Sequence, residues 1–215
     1  MAVPELIRRR STSNPAESGE SGDANVGLPS DVLLQTCRRV GAVGVAFLCI
    51  WAVPLILFLA VAPYVGGMPM GPMLWPMPGA AIAGTGMAVS LLLLLLARRL
   101  SSQPDLLLFL GSGFLVITAL LFSLLDLWVP DFSSPHPILH VGVGILAYSS
   151  IVPNTPATTL SVGLLAATMA PLALIITRLR GVYFDATWFQ YLVTFLPNYI
   201  VALVAVIPAR IIRRL

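Results

Sequence analysis

Lysine is absent from the 215 residues, and only 10% of them carry charge of either sign. The first absence removes whole mechanisms. A P-loop needs its lysine on the phosphates, a protein kinase needs a lysine to hold ATP, and a Schiff-base enzyme needs an amine. None of these can operate within this chain. The second absence bears on environment. Soluble domains carry about 25% charged residues. A water-facing surface cannot be built from so few, so lipid must cover much of the molecule. Cysteine is scarce too. Cys37 and Cys49 stand twelve positions apart, which gives no disulfide framework and leaves both as small apolar side chains. No nucleophile–base constellation and no Gly-rich phosphate loop is visible, and nothing in the sequence calls for a cofactor. No acidic residue falls mid-membrane, which argues against a proton-coupled transporter. The two halves show no repeat of the kind many transporters carry.

What is there is apolar. Hydrophobic residues make up 58% of the chain. They gather into six segments at 41–64, 78–97, 104–128, 135–152, 156–177 and 186–209. Most reach the roughly 20 residues that a helix needs to cross a core of about 30 Å. The fourth is the shortest. The expected fold is an all-α membrane protein, a polytopic bundle of about six transmembrane helices. Residues 1–36 read as a disordered cytoplasmic tail and 37–215 as the membrane domain. Within this, 31–39 form a short amphipathic lead-in. Pro78, Pro104, Pro135 and Pro156 mark helix starts, because the N–H that proline lacks would have no partner there. Ser134 and Thr155 precede two of them and can cap the free N–H groups.

All twelve basic residues are arginine, and the net charge is +3. They sit at the ends of apolar segments, which is a topology signal and not a nucleic-acid-binding face. Arg8, Arg9, Arg10, Arg38, Arg39, Arg98, Arg99, Arg210, Arg213 and Arg214 fall on one side if the spans are even in number. That side is then the cytoplasm, with both termini in it. Arg178 and Arg180 fall on the other. Tyr64, Trp75, Trp128, Tyr183 and Trp188 occupy expected outer interfaces, where amphipathic rings are favoured. Gly79, Ala83, Gly86, Gly111, Gly113, Gly142 and Gly144 allow close helix approach and point to a packed bundle.

Three places carry candidate chemistry. His136 and His140 are four apart and share a helix face, within reach of Asp126 or Asp131 across a short loop. They form either an extracytoplasmic metal or proton-sensing site or a set of hydrogen bonds that fixes the hairpin. The loop GGMPMGPMLWPMP holds Met68, Met70, Met73 and Met77. Thioethers suit a soft ion such as Cu(I) or Ag(I). The same run also reads as an apolar, proline-stiffened loop on the outer membrane surface. Pro197 and Asn198 lie inside the sixth segment, as a hinge or as an ordinary kink with an interhelical hydrogen bond.

The stretch LHVGVGILAYSSIVPNTPATTLSVGLLAATMAPLALII at 139–176, followed by LPNYIVALVAVIPARIIRRL at 196–215, resembles the membrane regions of bacterial serine/threonine protein kinases from high-GC genomes. In those proteins a short turn of the kind seen here at Ile151-Val152-Pro153-Asn154-Thr155 joins two helices, and the last helix ends in arginine and leads into a cytoplasmic kinase domain. The resemblance covers about the last 80 residues. It implies a membrane-anchoring or sensory module in a bacterial inner membrane, not catalytic by itself, with the Arg210–Leu215 end leading toward a following domain. The implied partners are the lipid bilayer and a kinase domain in cis or in trans, with a homodimer left open and no nucleic acid. The alternatives are a small stand-alone transporter or channel, or a structural membrane partner.

Overall fold

Proline places the helix starts. In the computed structural model, which describes residues 30–61, 76–100, 103–128, 139–152, 154–181 and 187–214, α2 spans Pro76–Arg99, α3 Pro104–Trp128 and α5 Pro156–Leu179. The third start falls where the sequence puts it. α2 begins two residues before Pro78, because Pro76 and Pro78 both fit a first turn whose N–H groups have no acceptor. α5 opens on Thr155, whose hydroxyl accepts the Thr158 N–H at 3.1 Å. α1 spans Ser30–Ile56 and continues as a π turn over Leu57–Val61. It starts well before position 41, since no proline or glycine separates the amphipathic lead-in from the apolar run. Residues 30–36, read as the end of the tail, are thus helical. Cys37 and Cys49 both lie on α1, about 18 Å apart along its axis, far beyond disulfide reach.

Of the fourth segment, α4 covers Leu139–Ile151, 13 residues, and Pro135, its expected start, lies outside the described residues. The sixth divides into α6, Trp188–Val204, and α7, Val206–Arg214. The cause lies downstream of the break. Pro208 has no N–H for the Val204 carbonyl, and its ring crowds that oxygen, so the hydrogen-bond ladder lapses at Ala205 while the backbone there stays helical (φ −60°, ψ −17°). Pro197, read as a hinge or as an ordinary kink, lies inside α6, between Thr194 and Asn198, which with Ala202 are its buried residues.

Among the described residues, five helices are long and apolar enough to cross a membrane, with α6 and α7 together making one of them, Trp188–Ile211. The short α4 is fixed by its neighbours. Trp128 at the end of α3 donates to Thr177 at the end of α5 (3.0 Å). At the other end, Asp105, Ser112, Asn154 and Thr158 line one cavity. α3 and α5 are therefore parallel, and the chain must return between them. α4 makes that return, with His140 beside Asp126 and Tyr148 beside Ser112. The other neighbours alternate in direction, as Gly44 against Ser90 and Arg178 against Tyr191 show. The chain thus passes six times between two ends. One end carries the start of α1, Arg98, Arg99 and α7, and is called here the terminal end.

The interior is packed through small residues. Ala83, Gly86, Ser90 and Ala97 of α2 face α1, and Gly163, Ala166, Ala167 and Ala170 of α5 face its neighbours. Buried hydroxyls would be costly in a dry core, but they bond within their own helix: Ser90 to Gly86 O, Thr118 to Phe114 O, Ser123 to Ala119 O, each 2.8 Å. Four aromatic rings fill the middle. Phe47 meets Phe114 edge-on at 5.2 Å, and Trp51 stacks on Phe122 at 4.2 Å.

Candidate functional site

The end opposite the termini holds the histidine candidate. α3 delivers Asp126 and α4 delivers His140, whose Nδ1 lies 3.2 Å from Asp126 Oδ2. The His140 ring also stacks at 6.1 Å on Phe122, which in turn covers Trp51. A column of rings thus runs from the rim into the core through three helices. The described residues hold no cluster of three or more His, Cys, Asp or Glu side chains able to take a metal. His136 and Asp131, the other donors suggested by the sequence, lie outside the described residues, as do Met68, Met70 and Met73; of Met77 only the backbone, in the first turn of α2, is described. His140 is well exposed, and an ion pair that water can screen contributes little. Replacing His140 with alanine is expected to lower stability by less than about 1 kcal/mol, read as the unfolding midpoint in mixed micelles.

Arg178 and Arg180 lie at this same end, away from the other described arginines. Both are matched by aromatic rings. Arg180 sits over Trp128 at 4.1 Å from the ring centre, and Arg178 lies over Tyr191 at 5.2 Å while donating to its hydroxyl at 3.0 Å. Cation–π contact of this kind is favourable by about 0.5–2 kcal/mol, more where water is excluded.

The sequence expects Asn198 to bond across to a neighbouring helix, and the structure brings it close to α4 without its amide nitrogen finding a partner among the described residues. It is buried, and its Oδ1 lies 3.3 Å from where a β-carbon on Gly142 would stand. Trp51 Nε1 and Thr159 Oγ1 likewise find no partner there.

The terminal end holds a feature that no single motif announces. The turn after α4 tucks Asn154 inward, its N–H on the Val152 carbonyl at 2.9 Å. Buried Tyr148 turns its hydroxyl to Ser112 (3.4 Å), with Asn154 as its second polar neighbour. Gly111 leaves room for that hydroxyl, since a β-carbon there would stand 2.9 Å from it. Ser112 and Asn154 then form the polar part of a groove between α3 and α5, about 770 Å³ in volume. The sequence marks Asn154 and Thr155 through the turn motif, but Tyr148 and Ser112 carry no spacing that would pair them.

No known family matches the sequence, and neither a curated protein nor a solved structure matches it.

Proposed function

We propose that this chain is a membrane-anchoring and sensory module for a serine/threonine kinase domain, in cis or in trans, at the cytoplasmic face of a bacterial inner membrane. The observation that carries the reading is the backbone bond missing between Val204 and Pro208 in the last helical span. That span packs against the bundle through Asn198 and Ala202, loses a ladder bond near Ala205, and then carries Arg210, Arg213 and Arg214. A helix weakened at one point can pass a tilt in the bundle to a segment attached beyond it. The resemblance at 139–176 and 196–215 supports the kinase as that recipient. Arg38, Arg39, Arg98, Arg99 and Arg210 share the terminal end, and a positive end of a membrane protein faces the cytoplasm. The paired Arg178 and Arg180 are the only described arginines elsewhere.

Photo-crosslinking from position 211 in native membranes tests the reading. Recovery of a kinase domain is expected, and capture of no kinase from either Arg210 or Ile211 sinks it. Pro208→Ala restores the N–H that the Val204 carbonyl lacks. Spin labels on exposed Val193 and Ile211 should then report a narrower distance distribution across α6–α7, and phosphorylation by the associated kinase should change several-fold. A stiffened helix with unaltered phosphorylation would remove the weak point at Val204–Pro208 from the mechanism.

A further inference from the structure

The groove between α3 and α5 has the form of a site for a hydrocarbon chain. Along α3 it runs from Asp105 to Ile117, and along α5 from Thr155 to Leu165. At 1.5 Å per residue these spans are about 18 and 15 Å, and half of a bilayer core of about 30 Å is about 15 Å. The groove is one leaflet deep. Its polarity follows in part. Asp105, Asn154, Thr155 and Thr158 lie toward the terminal end, Ser112 lies about 10 Å deeper along α3, and the remaining walls are apolar, among them Phe109, Val116, Val162 and Leu165. Phe109, Ile117 and Leu165 are exposed and open it sideways to lipid. Its volume of about 770 Å³ lies in the range of ligand sites, about 300–1,000 Å³. Among the described residues no cationic side chain lines it, so a lipid phosphate has nothing there to hold it.

We infer that this groove binds one acyl chain of a bilayer phospholipid, drawn from the leaflet at the terminal end, with recognition of the chain and not of the headgroup. Gly113 shows why the space exists. A β-carbon at Gly113 would meet nothing within 4 Å, so this position is open by the lack of a side chain and not by strain. A leucine there starts from open space and extends into the groove that Gly113 lines. The inference is independent of the kinase reading.

The test uses the full chain in phosphatidylcholine vesicles holding a trace of phosphatidylcholine with a photoreactive group midway along one acyl chain. Irradiation and peptide mapping should place several-fold more adduct on 105–117 and 155–165 than on 88–97 of α2, where Leu91, Leu92 and Leu95 are also exposed. Gly113→Leu should remove the excess while unfolding like the parent chain. Val162→Phe, from the opposite wall, serves as the second blocking variant. Equal labelling of groove and α2 face, or an excess that survives both variants, overturns the proposal. So do disulfide-linked dimers formed efficiently in the bilayer by Phe109→Cys, which would show a second copy of the chain seated there.

Discussion

Gly86→Val will separate α1 from α2 and leave no cooperatively folded bundle at room temperature in mild detergent. Even the first added carbon is excluded, because a β-carbon on Gly86 would overlap the indole of Trp51. The indole has nowhere to go. It is fully buried, and its other face lies 4.2 Å from the Phe122 ring in a near-parallel stack. Overpacking normally costs about 1–3 kcal/mol, with larger values where neither side can yield. Gly86→Ala should already reach the top of that range. Trp51→Ala alone should cost about 3–5 kcal/mol through the void it leaves. The informative result is the pair. Trp51→Leu combined with Gly86→Ala should be more stable than the sum of the two single losses predicts, because the smaller side chain admits the new methyl. Denaturant titration of helical content in mixed micelles gives all four midpoints. Simple additivity would mean that the indole does not occupy the place described.

Gly163→Leu is the second severe substitution, and it acts on the half of the bundle that carries the last helical span. A β-carbon at Gly163 would stand 3.2 Å from the Ala202 β-carbon and 3.5 Å from Ile145, so alanine requires a shift of a few tenths of an ångström and leucine requires α5 and α6 to part. The expected loss is about 3 kcal/mol for leucine and about 1 kcal/mol or less for alanine. Gly86, Gly163 and Gly113 thus form a graded series at which alanine is excluded, tight and free. The same titration across the three alanine variants should return that order. A Gly163→Leu chain that unfolds like the parent would show that α6 is not held against α5.

The series also shows how far the sequence could be read. Of the small residues that the sequence marks for close approach, Gly86, Gly111 and Gly142 meet a partner at short range, Gly144 makes ordinary contact and Gly113 faces open space, whereas Gly163, tight against Ala202, is not among those marked. Nothing in a sequence separates a glycine pressed against a neighbour from one that opens a groove, because the difference lies in which helix stands opposite. Helix existence was legible for the opposite reason. Apolar length and proline at the first turn are local facts, so α3 and α5 start where Pro104 and Pro156 put them. The last helical span shows the limit of that logic. Pro197 and Pro208 are equally visible, yet α6 continues past the first, and the ladder lapses at Ala205 before the second. Among the contacts offered for His136 and His140 with Asp126 or Asp131, the structure shows His140 with Asp126, and His136 and Asp131 lie outside the described residues. Tyr148, Ser112 and Asn154 were not grouped, because Ser112 and Tyr148 are 36 positions apart in sequence.

The parallel pairing of α3 and α5 has a consequence for synthesis. The bond from Trp128 to Thr177 joins positions 49 apart. α1 and α2 can close as a hairpin soon after the second leaves the ribosome, but the face of α3 that meets α5, with Trp128 at its end, lacks that partner until α5 is made. At about 5–20 residues per second, that face waits several seconds in the bilayer with only α4 beside it. Ribosomal pausing within 129–156 would lengthen the wait, so the pairs most exposed to misassembly and surveillance are set by chain order and not by the strength of the finished contacts.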